Sequence, residues 1–239
     1  MINTSKVIVL SKLKYRDNDL IIKCFTLNRG VVSYLLKGVL SSKKGASKIA
    51  YYQLLSQLQI EENYRQTQSL QFIRDVRLDY NFSSLHTNLY KGSIVMFLSE
   101  VLSSVLKEEE ENKPLYYYLE TTLRWLDTTD KYSNFHLLFL LNLTRHLGFY
   151  PDTSDTNQMY FNLRNGLFES SLEGVYSISG ENLTILQQLL GTNFDDLENI
   201  KLNSKQRQSF LSVILLYFEL HLGSFKTPNS LKIFNQVFN

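Results

Sequence analysis

The hydrophobic period of this 239-residue chain changes once, near Phe82, and that change limits the folds it can adopt. Before Phe82, apolar residues fall in short β-branched or alternating runs separated by polar turns, a pattern typical of β-strands. After it, they recur at helical spacing. The sequence therefore predicts an α+β fold, with a strand-rich domain over residues 1–80 and a mainly α-helical domain over residues 81–239.

Five runs in the first eighty residues predict five short strands. They are SKVIVLSKLKY, DNDLIIKCFTLN, VVSYLLKGV, YYQLLSQLQIEENY and SLQFIRDVRLDY. Asp17, Asn18 and Asp19 suit the first turn, because Asp and Asn side chains bond locally to the backbone. Gly30 suits the next turn, because glycine accepts a positive φ. This pattern favours a closed antiparallel barrel, either a five-stranded OB-fold or, as the alternative, an SH3-like barrel.

The second part of the chain carries helical patterns and one hairpin signal. The helical patterns begin near Gly92, Pro114, Phe135, Glu181, Ser204 and Ser230. Ser204 is the predicted N-cap of its helix. The dipeptide Asn165-Gly166 predicts a small β-hairpin, which we place in an insertion near residues 158–178.

Cysteine content and apolar run length exclude several classes of protein. Cys24 is the single cysteine, so neither an intrachain disulfide nor a Cys-rich zinc module can form. No apolar run approaches the ~20 residues of a membrane span, and the first apolar run is too short for a signal peptide. We therefore expect a cytoplasmic protein that does not engage a membrane.

Motifs for catalysis are absent from the sequence. There is no phosphate-binding glycine loop and no nucleophile elbow, and none of the four histidines has a partner at zinc-site spacing. Asp17 and Asp19 could pair as a carboxylate dyad, as in a metal-dependent nuclease. Their Asp-Asn-Asp setting favours a turn instead. We predict no catalytic residues, and hence a protein that is not an enzyme.

The basic residues are strongly biased toward the amino terminus. Residues 1–48 hold ten basic and two acidic residues, a net charge of +8, whereas the other 191 residues hold fifteen basic and twenty-one acidic, or −6. A basic strand-rich module on an acidic body is a plausible electrostatic footprint for nucleic acid. It also fits an adaptor that binds an acidic protein, and we keep that alternative open.

Single strands bind β-barrels through basic residues on phosphates and aromatic rings on bases. The candidate DNA-binding residues are Lys12, Lys14, Arg16, Lys23, Arg29, Lys37, Lys43, Lys44 and Lys48. The candidate stacking rings are Tyr15, Phe25, Tyr34, Tyr51 and Tyr52, although aromatic residues at strand spacing more often belong to a core. We expect the segment LSSKKGASK to be a flexible basic loop.

One stretch resembles a known family. VIVLSKLKYRDNDLIIKCFTLNRGVVSYLLKGV is similar to the amino-terminal signature of RecO, a family of bacterial recombination mediators and DNA repair proteins. The matching positions are Asp17, Asn18, Asp19, Leu20, Phe25, Thr26, Gly30, Lys37 and Gly38. The later segments LGFYPD and FKTPNSLKIF also resemble the family.

The resemblance implies an amino-terminal OB-fold followed by a helical domain. It implies binding to single- and double-stranded DNA, annealing of complementary strands, and help in loading RecA onto DNA coated with single-strand binding protein (SSB). The implied partners are RecR, the acidic SSB tail and, indirectly, RecA, acting at the bacterial nucleoid. Such a tail needs an apolar pocket edged by a base, and Arg124 and Arg145 are candidates for that base.

The chain departs from the family pattern at one place. Many members carry a four-cysteine zinc module just after the position of LGFYPD, but TSDTNQMYFNLRNGLFESS contains no cysteine. We therefore expect no zinc and no other cofactor.

Overall fold

The computed structural model describes residues 3–41, 43–106 and 110–238, without the side chains of Lys43, Lys44 and Ala46. The chain divides into two compact units, Met1–Thr128 and Thr129–Asn239. Among the described residues, no helix combines the length and the apolar character needed to cross a membrane. The architecture is mixed α+β, as the change of period predicts.

The first unit is built on a curled sheet of six strands. These are β1 (Asn3–Tyr15), β2 (Asp19–Thr26), β3 (Gly30–Leu36), β4 (Gln57–Glu62), β5 (Leu70–Gln71) and β6 (Ile73–Leu78). Their order across the sheet is β5-β3-β2-β1-β4-β6. Strands β3 and β5 are parallel and the other pairs are antiparallel.

One continuous segment joins the two edges of this sheet. β5 pairs with β3, and after the single residue Phe72 the chain continues as β6, which pairs with β4. The predicted fifth strand is therefore present but interrupted, and its two parts pair with opposite sides of the curled sheet. The predicted OB-fold is confirmed, with six strand segments in place of five.

β1 contains a bulge, and this strand pairs with β2 on one side and with β4 on the other. The register of β1 against β2 shifts between Val9 and Ser11. The residues before the bulge also pair with β4, and the last of these pairs is Ile8 opposite Gln57. Since a bulge bends its strand and increases its twist, it curls the sheet at the point where β1 leaves β4.

The barrel core comes from alternate positions of the strands, as strand geometry requires. It is lined by Val7, Val9, Leu20, Ile22, Cys24, Val32, Tyr34, Leu36, Leu58 and Ile60. Cys24 is fully buried, and burial raises the pKa of its thiol above the ordinary range. It serves as a small apolar core residue.

The expected flexible loop after β3 is wrong, since this segment contains helix α1 (Lys43–Ile49). Gly45 is buried in α1, and a Cβ at this position would overlap the carbonyl oxygen of Val39. The helix therefore packs directly on the backbone of the preceding segment. Glycine, which suggested a loop from the sequence alone, is needed here for close approach rather than for flexibility.

Gly45→Ala is expected to destabilise the protein by about 2 kcal/mol, because the added methyl group meets backbone that cannot rotate away. Gly92→Ala is the matched control. Its Cβ would meet nothing within 4 Å, so helix propensity alone predicts stabilisation by up to about 1 kcal/mol. Urea unfolding measures whether the free energy of unfolding falls or rises in each variant. Equal effects would show that α1 does not pack on Val39.

Two longer helices complete the first unit. They are α2 (Leu89–Val105) and α3 (Lys113–Thr128). The Asn88 side chain caps α2 by accepting from the backbone N–H groups of Tyr90 and Lys91. Pro114 lies in the first turn of α3, as predicted. The Phe25 ring on β2 lies 6.0 Å from the Tyr116 ring on α3, so this helix packs on the outside of the barrel.

The second unit is helical with a small sheet. Its helices are α4 (Phe135–His146), α5 (Gly180–Leu189), α6 (Ser204–His221) and α7 (Leu231–Val237), with a 3₁₀ turn at Leu197–Asn199. Its strands are β7 (Tyr160–Asn162), β8 (Leu167–Glu169) and β9 (Ser177–Ile178), in the order β8-β7-β9.

Two local predictions in this unit can be compared with the structure. The hairpin at Asn165-Gly166 is confirmed, because β7 and β8 pair across it and Gly166 has φ +73°. Ser204 as N-cap is wrong by one residue. Asn203 caps α6 instead, and its side chain and that of Gln206 form a reciprocal capping box.

Candidate nucleic-acid interface

The β1–β2 hairpin carries exposed basic residues on both of its faces. Lys12 lies opposite Ile22 in the register, so it shares the face of a core residue, yet it is exposed. Lys14 repeats this arrangement one step nearer the turn. Lys23 lies opposite Ser11 on the other face and is also exposed. Exposed cations therefore lie on both faces of this hairpin near its turn.

The turn of the hairpin adds a further cation. Arg16 has φ +53°, an uncommon conformation for a residue other than glycine, and its side chain is exposed. Its guanidinium carbon lies 5.1 Å from the centre of the Tyr15 ring. In OB-folds, oligonucleotides bind to the outer face of strands 2 and 3 and to the adjacent loops. This turn is one of those loops.

Four of the predicted lysines follow β3. Lys37 is exposed, and its Nζ lies 5.0 Å from the centre of the Phe72 ring. Lys48 is exposed in the last turn of α1. The side chains of Lys43 and Lys44 lie outside the described part of the structure.

Arg29 is partly exposed and pairs with a carboxylate that is buried in the barrel. Its Nη1 lies 2.5 Å from Oε1 of Glu62, whose side chain is fully buried. Ser5 and Tyr34 also donate to this carboxylate, at 2.5 and 3.0 Å. The guanidinium also lies over the Tyr64 ring, at 4.3 Å from its centre. Arg29 therefore neutralises a buried charge.

Most of the predicted stacking rings are not accessible. Phe25, Tyr34 and Tyr52 are at most 2% exposed, so the prediction that they stack on bases is wrong. Tyr34 and Tyr52 belong to the barrel core, and Phe25 is covered by Tyr116 of α3. Tyr15 is half-buried, and Tyr51 is 36% exposed.

The structure also shows surface residues that the sequence reasoning missed. Leu13 is 67% exposed and Phe72 is 41% exposed. Arg65 is exposed in the loop between β4 and β5. The buried Gln71 side chain holds this loop through hydrogen bonds with the backbone N–H and carbonyl of Arg65. A signal was available for Leu13, since one leucine between two lysines at strand period lies on the opposite face from both.

The turn that contains Asp17, Asn18 and Asp19 has a structural use. Asp19 Oδ1 accepts a hydrogen bond from the backbone N–H of Gly38 at 2.8 Å, and the Asn18 carbonyl accepts one from Leu40 at 3.1 Å. These bonds tie the β1–β2 turn to the segment after β3. Within the described residues, no three His, Cys, Asp or Glu side chains lie together as a metal site. The geometry thus favours the turn interpretation over the nuclease alternative.

The histidines also have structural surroundings. His136 is 1% exposed, and burial together with the nearby charge of Arg207 lowers its pKa to about 3. His86 and His221 each place Nε2 within hydrogen-bonding distance of a backbone carbonyl, at 2.8 and 3.0 Å.

The two arginines proposed for the SSB tail lie in different compact units. Arg124 donates to Asp79 at 3.0 Å and to Glu120 at 3.1 Å. Its charge is therefore already compensated. Arg145 is exposed, and its guanidinium carbon lies 4.2 Å from the centre of the Tyr150 ring.

The residues around the small sheet do not fit a zinc site, because residues 152–178 contain neither cysteine nor histidine. An aromatic cluster supports the sheet instead. Phe161, 1% exposed, lies 4.8 Å from the Phe168 ring and 5.9 Å from the Tyr217 ring. The Tyr217 hydroxyl donates to the Phe149 carbonyl at 2.8 Å.

Comparisons with known proteins agree with the resemblance. The family model described as Recombination protein O N terminal matches residues 1–82, and Recombination protein O C terminal matches residues 86–230. These models meet near residue 84, whereas the compact units divide after Thr128, because α2 and α3 lie in the same unit as the barrel. A domain boundary after residue 80 stays a prediction.

Several curated relatives match over the full length. The chain is 45% identical over 238 residues to the DNA repair protein RecO of Christiangramia forsetii, covering 100% of both chains. It is 40% identical over 235 residues to that of Flavobacterium johnsoniae, covering 98% of each, and 34% identical over 243 residues to that of Bacteroides fragilis, covering 100% of each. The chain belongs to the RecO family of DNA repair and recombination proteins.

Proposed function

We propose that this chain is a recombination mediator that binds single- and double-stranded DNA, anneals complementary strands, and assists RecA loading on SSB-coated DNA together with RecR. The observation that carries the proposal is the basic β1–β2 hairpin. In the described part of the chain, its residues Lys12 and Lys14 form no ion pair and are exposed. Cations in that state are available for phosphates.

The proposed mechanism is physical. Two complementary strands repel each other, and a basic surface lowers that repulsion while releasing the counterions that the phosphates had condensed. Contacts to phosphate carry no sequence information directly, so such a surface suits strands of any sequence. Bases that are not held through their pairing edges remain free to find their complement. The proposal involves no zinc or other cofactor.

The proposed DNA contacts are Lys12, Lys14, Arg16, Lys23, Lys37, Lys43, Lys44 and Lys48, with Arg65 added from the structure. We leave Arg29 out because its charge is used on Glu62. For the acidic SSB tail, Arg145 is the better of the two candidates, since Arg124 already pairs with two carboxylates.

Reversing the charge at the hairpin is expected to weaken DNA binding. The variant Lys12→Glu/Lys14→Glu/Arg16→Glu should lose on the order of 10- to 100-fold in affinity for both DNA forms at low salt, and annealing with it. The slope of log affinity against log salt for single strands should become shallower by about 2, because each lost phosphate contact removes about 0.7. Fluorescence anisotropy measures affinity, and mixing of labelled complementary oligonucleotides measures annealing.

The matched control makes the same change of charge in the helical unit, at exposed Lys205, Lys226 and Lys232. This control should retain more of both activities than the hairpin variant. Equal losses would mean that net charge, and not the hairpin, determines binding. A wild-type chain that neither binds nor anneals DNA at low salt would overturn the proposal and favour the adaptor alternative.

A further inference from the structure

The outer face of the barrel carries a row of apolar side chains across neighbouring strands. Leu13 on β1 lies opposite Ile21 on β2, which lies opposite Leu35 on β3. Residues directly opposite each other project from the same face of a sheet. Leu13 is exposed, and Ile21 and Leu35 are half-buried.

Phe72 extends this row to a fourth segment. Tyr34 pairs with Gln71, and both side chains are buried in the inward direction. The residues that follow them, Leu35 and Phe72, therefore project outward by strand alternation. The Lys37 Nζ, 5.0 Å from the centre of the Phe72 ring, confirms that this ring lies beside the outer side of β3.

This row is distinct from the barrel core. The adjacent residues Leu20, Ile22 and Leu36 face inward and are at most 7% exposed. Strands lie about 4.8 Å apart, so four segments span roughly 14 Å. That length corresponds to about four base steps of a stacked strand. The row is therefore large enough for more than one base.

Cations border the apolar row. Lys23 lies opposite Ser11 and Ser33, in the next row of the same face, and is exposed. Lys37 lies beside Phe72 at the other side. An apolar strip bordered by lysines matches a single nucleic-acid strand, which offers flat apolar bases and a charged backbone side by side. A duplex keeps its bases stacked inside and offers a flat sheet only phosphate and sugar.

We propose that the row formed by Leu13, Ile21, Leu35 and Phe72 holds unpaired bases of single-stranded DNA, with Phe72 as a stacking platform and Lys23 and Lys37 on the adjacent phosphates. This inference rests on the proposed function and refines it. The basic hairpin binds backbone in either DNA form, whereas the apolar row distinguishes a single strand from a duplex.

The test compares an oligothymidylate with a blunt duplex of the same length, by anisotropy at fixed salt. Leu13→Ala/Phe72→Ala is expected to bind the single strand roughly tenfold more weakly, the size of a lost stacking contact, and the duplex within about twofold of wild type. Phe72→Trp should retain single-strand affinity, and Phe72→Leu, which keeps apolar volume without a ring, should not. Leu89→Ala, at a leucine 73% exposed elsewhere in the first unit, is the matched control and should change neither affinity.

Each other outcome has a definite meaning. If the wild type binds DNA and Leu13→Ala/Phe72→Ala binds the single strand with unchanged affinity, this inference is overturned and the proposed function is left intact. An equal loss of affinity for both DNA forms also overturns it, because the row then does not distinguish a single strand from a duplex. Melting temperatures and circular dichroism of every variant separate loss of contact from loss of fold. Absence of DNA binding by the wild type would overturn the proposed function itself.

Discussion

Arg29→Ala is expected to destabilise the barrel by about 3–5 kcal/mol, which is far more than the loss of an ordinary surface arginine. The reason is the fully buried Glu62 carboxylate, whose charge Arg29 compensates at 2.5 Å. Ser5 and Tyr34 would still donate to that carboxylate, but neither carries a charge. Urea unfolding followed by circular dichroism measures the free energy of unfolding.

A second substitution tests the cause. Adding Glu62→Gln to Arg29→Ala removes the uncompensated charge, so the double variant is expected to recover a large part of the lost stability. Lys12→Ala, at an exposed lysine on the same sheet, should change stability by less than about 0.5 kcal/mol. If Arg29→Ala unfolds like wild type yet loses DNA affinity, Arg29 belongs to the DNA surface and the structural assignment is wrong.

Asp127→Ala is expected to cost about 3 kcal/mol, because it leaves three backbone N–H groups without their acceptor, and one of them, that of Leu85, is buried. Oδ1 accepts from Ser84 and Leu85, both at 2.7 Å, and Oδ2 accepts from Ser83 at 2.9 Å. These bonds join the segment before α2 to the end of α3. Asp127→Asn keeps one acceptor oxygen and should lose roughly half as much.

The effect should depend on pH in a definite direction. Burial opposes ionisation of Asp127, but the backbone hydrogen bonds from Ser83, Ser84 and Leu85 outweigh it and lower its pKa. A lowered folded-state pKa stabilises the protein above the unfolded value of about 4, and this stabilisation is lost as the pH falls through the folded-state pKa. The difference between wild type and Asp127→Ala should therefore shrink in acid. An exposed carboxylate, Asp75, provides the control in Asp75→Ala, and an equal loss there would contradict the explanation.

The sequence alone does not distinguish Arg29 and Asp127 from basic and acidic residues that have other roles. Arg29 stands among ten basic residues in the first 48, and nothing local distinguishes it from Lys23 or Lys37. Its partner Glu62 lies 33 residues away. The prediction that it contacts DNA therefore rested on composition, and the structure supplies the contact that separates it from its neighbours.

The same limit applies to the aromatic residues. Strand period places consecutive residues on alternate faces of a sheet, but period alone does not say which face is covered. Phe25 faces outward and is nevertheless buried, because Tyr116 of α3 lies on it. Phe72 also faces outward and stays exposed. Only the position of a distant helix decides between a core ring and a stacking surface.

By itself the sequence determined what depends on near neighbours in the chain. The period of the apolar residues predicted strands before helices, Asn165-Gly166 predicted its hairpin, and the charge bias identified the basic module. Tertiary structure alone decided the parallel pairing of β5 with β3, the packing of Gly45 on Val39, and which basic side chains remain exposed. These features depend on contacts between residues remote in sequence, and local propensities carry no information about such partners.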